Sequence, residues 1–183
     1  MSSFEYFATL LSIILGFSLA GVVRSIGRFF ISPDGFSRHT LSALWNFVLL
    51  FQLIIFWIVI WRLFSSREVI QYWELILYSF ATVVLYLASF VLESKANEGA
   101  FWDVARGPRA VFFGALSVHM ITVVIHAVSL DGFEVGNLIG IGVAGLCLCG
   151  LILQRTVHQA VLACVYLWLL VTIAFTGAIA FNG

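Results

Sequence analysis

Charge is scarce in this chain. Asp, Glu, Lys and Arg make up 10% of its 183 residues, while 62% are hydrophobic and the mean hydropathy is +1.10. A soluble domain of this size could not bury so much apolar surface, so a water-soluble globular fold is excluded and lipid is the expected solvent. Nine basic and nine acidic residues cancel, which leaves no whole-chain attraction to nucleic acid or to an acidic substrate. Cysteine is rare too. Cys147, Cys149 and Cys164 form no CxxC or CxxCH pattern and read as small apolar packing residues, which excludes a disulfide framework, a zinc-finger site and a haem attachment. The signatures HExxH, GxSxG, GxGxxG and Walker A are all missing, and no nucleophile has a base beside it. No catalytic residue, metal or cofactor is assigned, and an enzyme is not expected.

What the chain has is long apolar runs. A helix crossing the roughly 30 Å hydrocarbon core needs about 20 predominantly apolar residues. Six stretches qualify: Phe4–Val23, Leu41–Trp61, Ile70–Leu92, Ala110–Leu130, Val135–Leu153 and Ala160–Phe181. The expectation is an all-α polytopic membrane protein, one domain over residues 1–183, with short loops. In the loop before the fourth span, "NEGAFWDVAR" spaces Phe101, Trp102, Val104 and Ala105 helically beside basic residues. This predicts an interfacial helix over 97–106, ended by Gly107-Pro108.

Orientation follows from charge order. Glu5 precedes the first apolar run while Arg24 and Arg28 follow it, the reverse of a signal peptide, so the helix is retained with its N-terminus outside. Arg24, Arg28, Arg38, Lys95, Arg106, Arg109 and Arg155 then lie inside, against Arg62 and Arg67 outside. That bias predicts an N-out, C-out topology. Glu5, Glu68, Glu74, Asp131 and Glu134 leave the outer side net negative, which would concentrate cations there.

Within the spans, three features stand out. On a wheel of about 100° per residue, Glu5, Thr9, Ser12, Gly16, Ala20, Val23 and Gly27 share a narrow polar-and-small face. Phe4, Leu11, Leu15 and Val22 form the apolar side, read as facing lipid. The narrow face is either the wall of a water path, with hydroxyls replacing part of an ion's hydration shell, or a close helix contact. In the fourth span, His119, Thr122, His126 and Ser129 share a face; the imidazoles sit about 10 Å apart along the axis, too far to share a metal ion. His119 and His126, with Glu74 of the third span, are the candidate proton-sensing groups. In the fifth span Gly136, Gly140, Cys147 and Gly150 form a packing seam, its partner either the sixth span or a second protomer. In the second span Trp45 and Gln52 share a face, and Gln52 and Asn46 need interhelical hydrogen bonds.

The motif "SIILG" after an N-terminal Glu, Gly27-Arg28 at the helix end, "ALWNF", "LILYSF" and "RAVFFGAL" together resemble a family of uncharacterised bacterial six-span inner-membrane proteins. The resemblance implies the fold and a bacterial inner-membrane setting, with no activity attached. The architecture is also similar to that of bacterial relatives of the lysosomal potassium channels, which assemble around their first helix. Their Arg plus Phe-Ser-Asp signature is not present here. The function expected is an oligomeric channel or transporter for a small solute, a cation or proton, with pH sensitivity, its pore face formed by Glu5, Thr9, Ser12, Gly16 and Ala20. No broken span or inverted repeat points to a carrier. The alternative is a non-catalytic accessory subunit of a larger membrane complex, in which the polar stripes are helix contacts. Lipid and a homo-oligomeric or complex partner are expected, and nucleic acid is not.

Overall fold

The computed structural model describes residues 3–31, 40–65, 71–95, 106–131, 135–153 and 156–180. It is all-α among the described residues: α1 (Ser3–Ile31), α2 (Thr40–Ser65), α3 (Tyr72–Lys95), α4 (Arg106–Asp131), α5 (Val135–Ile152) and α6 (Thr156–Ala180). Four helices are long and apolar enough to cross a membrane, over Glu5–Ile31, Thr40–Trp61, Tyr72–Glu93 and Gly107–Ser129. The last two helices carry shorter described apolar stretches, Asn137–Ile152 and His158–Thr172.

Two helix limits differ from the sequence reading for identifiable reasons. α1 continues past Val23 to Ile31 and ends with Arg28 in its last turn, where a cation complements the helix dipole. α4 starts at Arg106, so Gly107-Pro108 opens this helix instead of closing a preceding one. A proline is tolerated in the first turn because its missing N–H would have had no intrahelical partner. The interfacial helix expected before it lies outside the described residues.

The helices close a ring. α1 packs on α2 and α3, α3 on α4, α4 on α5, α5 on α6, and α6 returns to α2. Consecutive helices run antiparallel: Phe7 near the start of α1 meets Phe64 near the end of α2, and Asn46 near the start of α2 meets Ser25 near the end of α1. The bundle therefore has a Glu5 end and an Arg109 end. Its centre is filled by side chains. Trp45 of α2 lies edge-on to Phe112 and Phe113 of α4, at 5.4 and 5.0 Å between ring centroids, and to Tyr166 of α6 at 6.1 Å. All four rings are fully buried. Edge-to-face contacts of this kind hold helices whose association cannot draw on hydrophobic expulsion.

Local bonds finish the ends. Glu74 turns back to accept the Gln71 backbone N–H at 2.9 Å, capping α3. The Gln159 amide of α6 donates to the carbonyls of Gly150 and Leu153, satisfying the end of α5 and tying the two helices together.

Candidate functional site

The α1 stripe faces away from the bundle. Glu5, Thr9, Ser12, Gly16, Ala20 and Val23 are exposed, and nothing lies within 4 Å of where a Cβ would stand on Gly16 or Gly27. The Thr9 and Ser12 hydroxyls donate to the carbonyls of Glu5 and Ala8 one turn back, at 2.7 and 2.6 Å. Leu11, Leu15 and Val22, read from sequence as lipid-facing, are buried against the rest of the bundle. This corrects the assignment of faces. The branched side chains fill the gaps between α1 and its neighbours and make many dispersion contacts there, which a stripe of Ser, Gly and Ala cannot supply. Within one protomer the stripe is neither the wall of an internal path nor an internal seam.

Toward the Glu5 end, α3 and α4 bring together Glu74, Tyr78 and His126, one helical turn separating the first two. His126 Nε2 lies 3.3 Å from Glu74 Oε1 and its Nδ1 lies 2.8 Å from the Tyr78 hydroxyl. Glu74 and His126 are 2% and 1% exposed, and the Trp73 and Tyr78 rings flank the imidazole at 5.3 and 4.7 Å. With Glu74 ionised, the Nε2–H donates to Oε1 while Nδ1 accepts the Tyr78 proton. Adding one proton gives an imidazolium whose Nδ1–H donates to the Tyr78 oxygen, and only the hydroxyl has to rotate. The same heavy-atom frame thus accommodates two proton inventories.

A second network lies deeper. His119 Nδ1 is 3.1 Å from the Ala81 carbonyl of α3, which can only accept, so Nδ1 carries the proton. Nε2 is then the acceptor for the Gln52 amide of α2 at 3.0 Å, and Gln52 Oε1 accepts the Tyr166 hydroxyl of α6 at 3.2 Å. The Cys147 thiol of α5 lies beside Tyr166 and Ser117. Every donor in this network finds an acceptor, and it joins α2, α3, α4 and α6 through a neutral imidazole. Between the two networks stands Phe56, stacked on Tyr78 at 6.0 Å and edge-on to His119 at 4.6 Å. The two histidines, on one face of α4, therefore belong to separate networks with different surroundings. Tyr78 and Tyr166 were not singled out in the sequence. Tyr78 follows Glu74 by one turn and was legible in retrospect, whereas nothing along α6 marks Tyr166.

The α5 seam packs on α4. A Cβ on Gly140 would come within 2.5 Å of Val124, and one on Gly150 within 2.5 to 2.8 Å of three Phe113 ring atoms. Cys147 is buried on the same face, and Gly136 belongs to the first turn of the helix. Gly140 and Gly150 thus meet the fourth helix, a partner the sequence did not offer, while the Gly150 carbonyl and Cys147 also meet α6, one of the two it left open. Two ring-bearing or branched residues of α4 need notches there, and glycine supplies them. A further glycine, Gly21, gives the Glu93 carboxylate of α3 room to cross α1 and pair with Arg24 at 2.9 Å.

Among the described residues no group of three or more His, Cys, Asp or Glu gathers to hold a metal ion. Comparison of the chain with protein-family models, curated proteins and solved structures finds no match to any of them.

Proposed function

We propose that this chain is a six-span, N-out and C-out protein of the bacterial inner membrane that assembles through α1 and passes a small cation or proton along an axis lined by Glu5, Thr9, Ser12, Gly16 and Ala20. One observation carries the reading: the polar-and-small face of α1 points directly away from its own buried face and is open at Gly16. A path through a single protomer is disfavoured by the rings of Trp45, Phe112, Phe113 and Tyr166 that occupy its centre. In an oligomer, α1 helices facing one another would instead line a passage narrow enough for hydroxyl and carbonyl oxygens to stand in for water. Glu74, Tyr78 and His126 sit near the Glu5 end and would make the entrance respond to pH through the two proton inventories their geometry admits.

The test is ion flux through the purified protein in liposomes between about pH 5 and 8, the range in which an imidazole changes charge. Wild type is compared with Gly16→Trp and Glu5→Gln. Loss of flux in Gly16→Trp, with the oligomer intact, is the expected outcome. An intact oligomer that passes no ion under any gradient would leave the accessory-subunit reading, and purification with unlike subunits would favour it directly.

A further inference from the structure

Tyr78 is a phenol with a base already seated on its hydroxyl. The oxygen lies 2.8 Å from His126 Nδ1, and Nε2 of the same imidazole lies 3.3 Å from the Glu74 carboxylate. The other carboxylate oxygen accepts the Gln71 backbone N–H at 2.9 Å. All three side chains are buried. A response to pH needs only the imidazole and the carboxylate. A phenol in line with them adds a chemistry that neither has, the loss of a single electron.

When a phenol loses an electron its hydroxyl becomes a strong acid and must give up its proton. Here the proton has one existing hydrogen bond to cross: the Tyr78 O–H bond breaks, the His126 Nδ1–H bond forms, and the electron leaves the ring. Before the step the three side chains carry one negative charge, on Glu74. Afterwards the phenoxyl is neutral, and the imidazolium and carboxylate cancel across 3.3 Å. Oxidation thus removes net charge from a buried site, which a low-dielectric interior favours.

The surroundings restrict what can act as the oxidant. Phe56 stacks on Tyr78 at 6.0 Å and Phe64 meets it edge-on at 5.0 Å, and Tyr78 is 3% exposed, so no bulky reagent touches the phenol. The Trp73 indole is 43% exposed, and its ring lies 5.3 Å from that of His126. It offers an electron an aromatic route from the surface of α3 to the cluster. On the membrane-spanning reading, that surface lies against lipid at the first turn of the helix.

We propose that Tyr78 is a redox-active tyrosine with His126 as its proton acceptor, and that its oxidant is a peroxyl radical of the surrounding lipid. The peroxyl radical takes the electron through Trp73 and a proton from interfacial water, and becomes a hydroperoxide. The Tyr78 proton stays on His126. One peroxyl radical is consumed for each tyrosyl radical formed. The inference rests on the membrane-spanning reading and not on conduction.

The experiment uses the full-length protein in detergent, oxidised by photogenerated ruthenium(III) tris-bipyridine and read by electron paramagnetic resonance. A long-lived tyrosyl signal is expected in wild type, and its loss in Tyr78→Phe, which keeps the ring. His126→Gln is expected to slow its formation on the order of a hundredfold, the lower end of what a positioned base contributes to a proton transfer. Where that variant fails to fold, wild type equilibrated in deuterated buffer serves, and slower formation is expected because the hydroxyl proton moves with the electron. In liposomes of unsaturated phospholipid given a peroxyl-radical generator, wild type is expected to delay lipid oxidation relative to Tyr78→Phe. The ruthenium-driven signal without that delay would reject the lipid radical as the oxidant. A signal unchanged in Tyr78→Phe, with oxidation stopping at exposed Tyr6 or Tyr72, or formation indifferent to both His126→Gln and deuterium, would overturn the proposal.

Discussion

Glu74 and His126, 52 residues apart in the chain, meet at 3.3 Å in the interior, and Tyr78 closes the other side of the imidazole at 2.8 Å. The pair is nearly inaccessible to solvent. Removing one member leaves the other buried without its partner, which in comparable pairs costs about 3 kcal/mol or more. Equilibrium unfolding should show Glu74→Ala and His126→Ala each destabilised to that extent, with the double variant less destabilised than their sum. Strict additivity in that cycle would mean the two side chains do not interact.

Gln52 has both ends of its amide committed, one to His119 and one to Tyr166. Gln52→Leu keeps much of the volume but leaves the Tyr166 hydroxyl and the His119 nitrogen without these partners. The expected cost is about 1 to 2 kcal/mol, near the upper range for hydrogen bonds between helices in lipid. Gln52→Glu, measured beside it, should be worse, since it replaces the amide donor to His119 by a carboxylate in the core. An unchanged unfolding midpoint for Gln52→Leu would contradict the assigned network.

Two glycines should respond oppositely to alanine. At Gly150 a methyl group would press on Phe113, which is itself held between Phe112 and Trp45 at 5.0 Å from each. Overpacking of this kind costs about 1 to 3 kcal/mol. At Gly16 the methyl group meets nothing within 4 Å, so Gly16→Ala should leave protomer stability within about 0.5 kcal/mol. Thermal unfolding of both variants in the same detergent checks the contrast.

The Arg24–Glu93 pair links α1 to α3, but the Arg24 side chain is 62% exposed. Exposed ion pairs contribute little and are screened by salt. Arg24→Gln should therefore change stability by less than about 1 kcal/mol. Gly21→Val is expected to be the more damaging substitution, because its side chain would occupy the space of the Glu93 carboxylate, 2.7 Å from the Cβ position. A larger loss in Arg24→Gln than in Gly21→Val would reverse this ranking.

Much of the helical architecture was readable along the chain. Runs of about 20 apolar residues specify helices wherever backbone groups must be satisfied internally, and the six expected stretches each overlap one observed helix. The periodicity also picked out residues that share a face: the α1 stripe, His119 with His126, and Gly140 with Cys147 and Gly150. Which way each face turns was less legible. In water an apolar face has one sensible direction, but in lipid both an apolar face and a face of back-bonded Ser and Thr can point outward. The α1 faces were accordingly assigned in reverse at Leu11, Leu15 and Val22, and the α5 seam was offered partners that did not include α4.

The amino-acid order by itself determined that the chain is helical, that its surface suits lipid, and that its few polar side chains are grouped on particular faces. Only the tertiary structure decided that Glu74, Tyr78 and His126 form one cluster and that His119 belongs to another with Gln52 and Tyr166. The reason is physical. Helix period and hydropathy are properties of adjacent residues, whereas the rotation of each helix about its axis is set by how large side chains such as Trp45, Phe113 and Tyr166 interlock with residues distant in sequence.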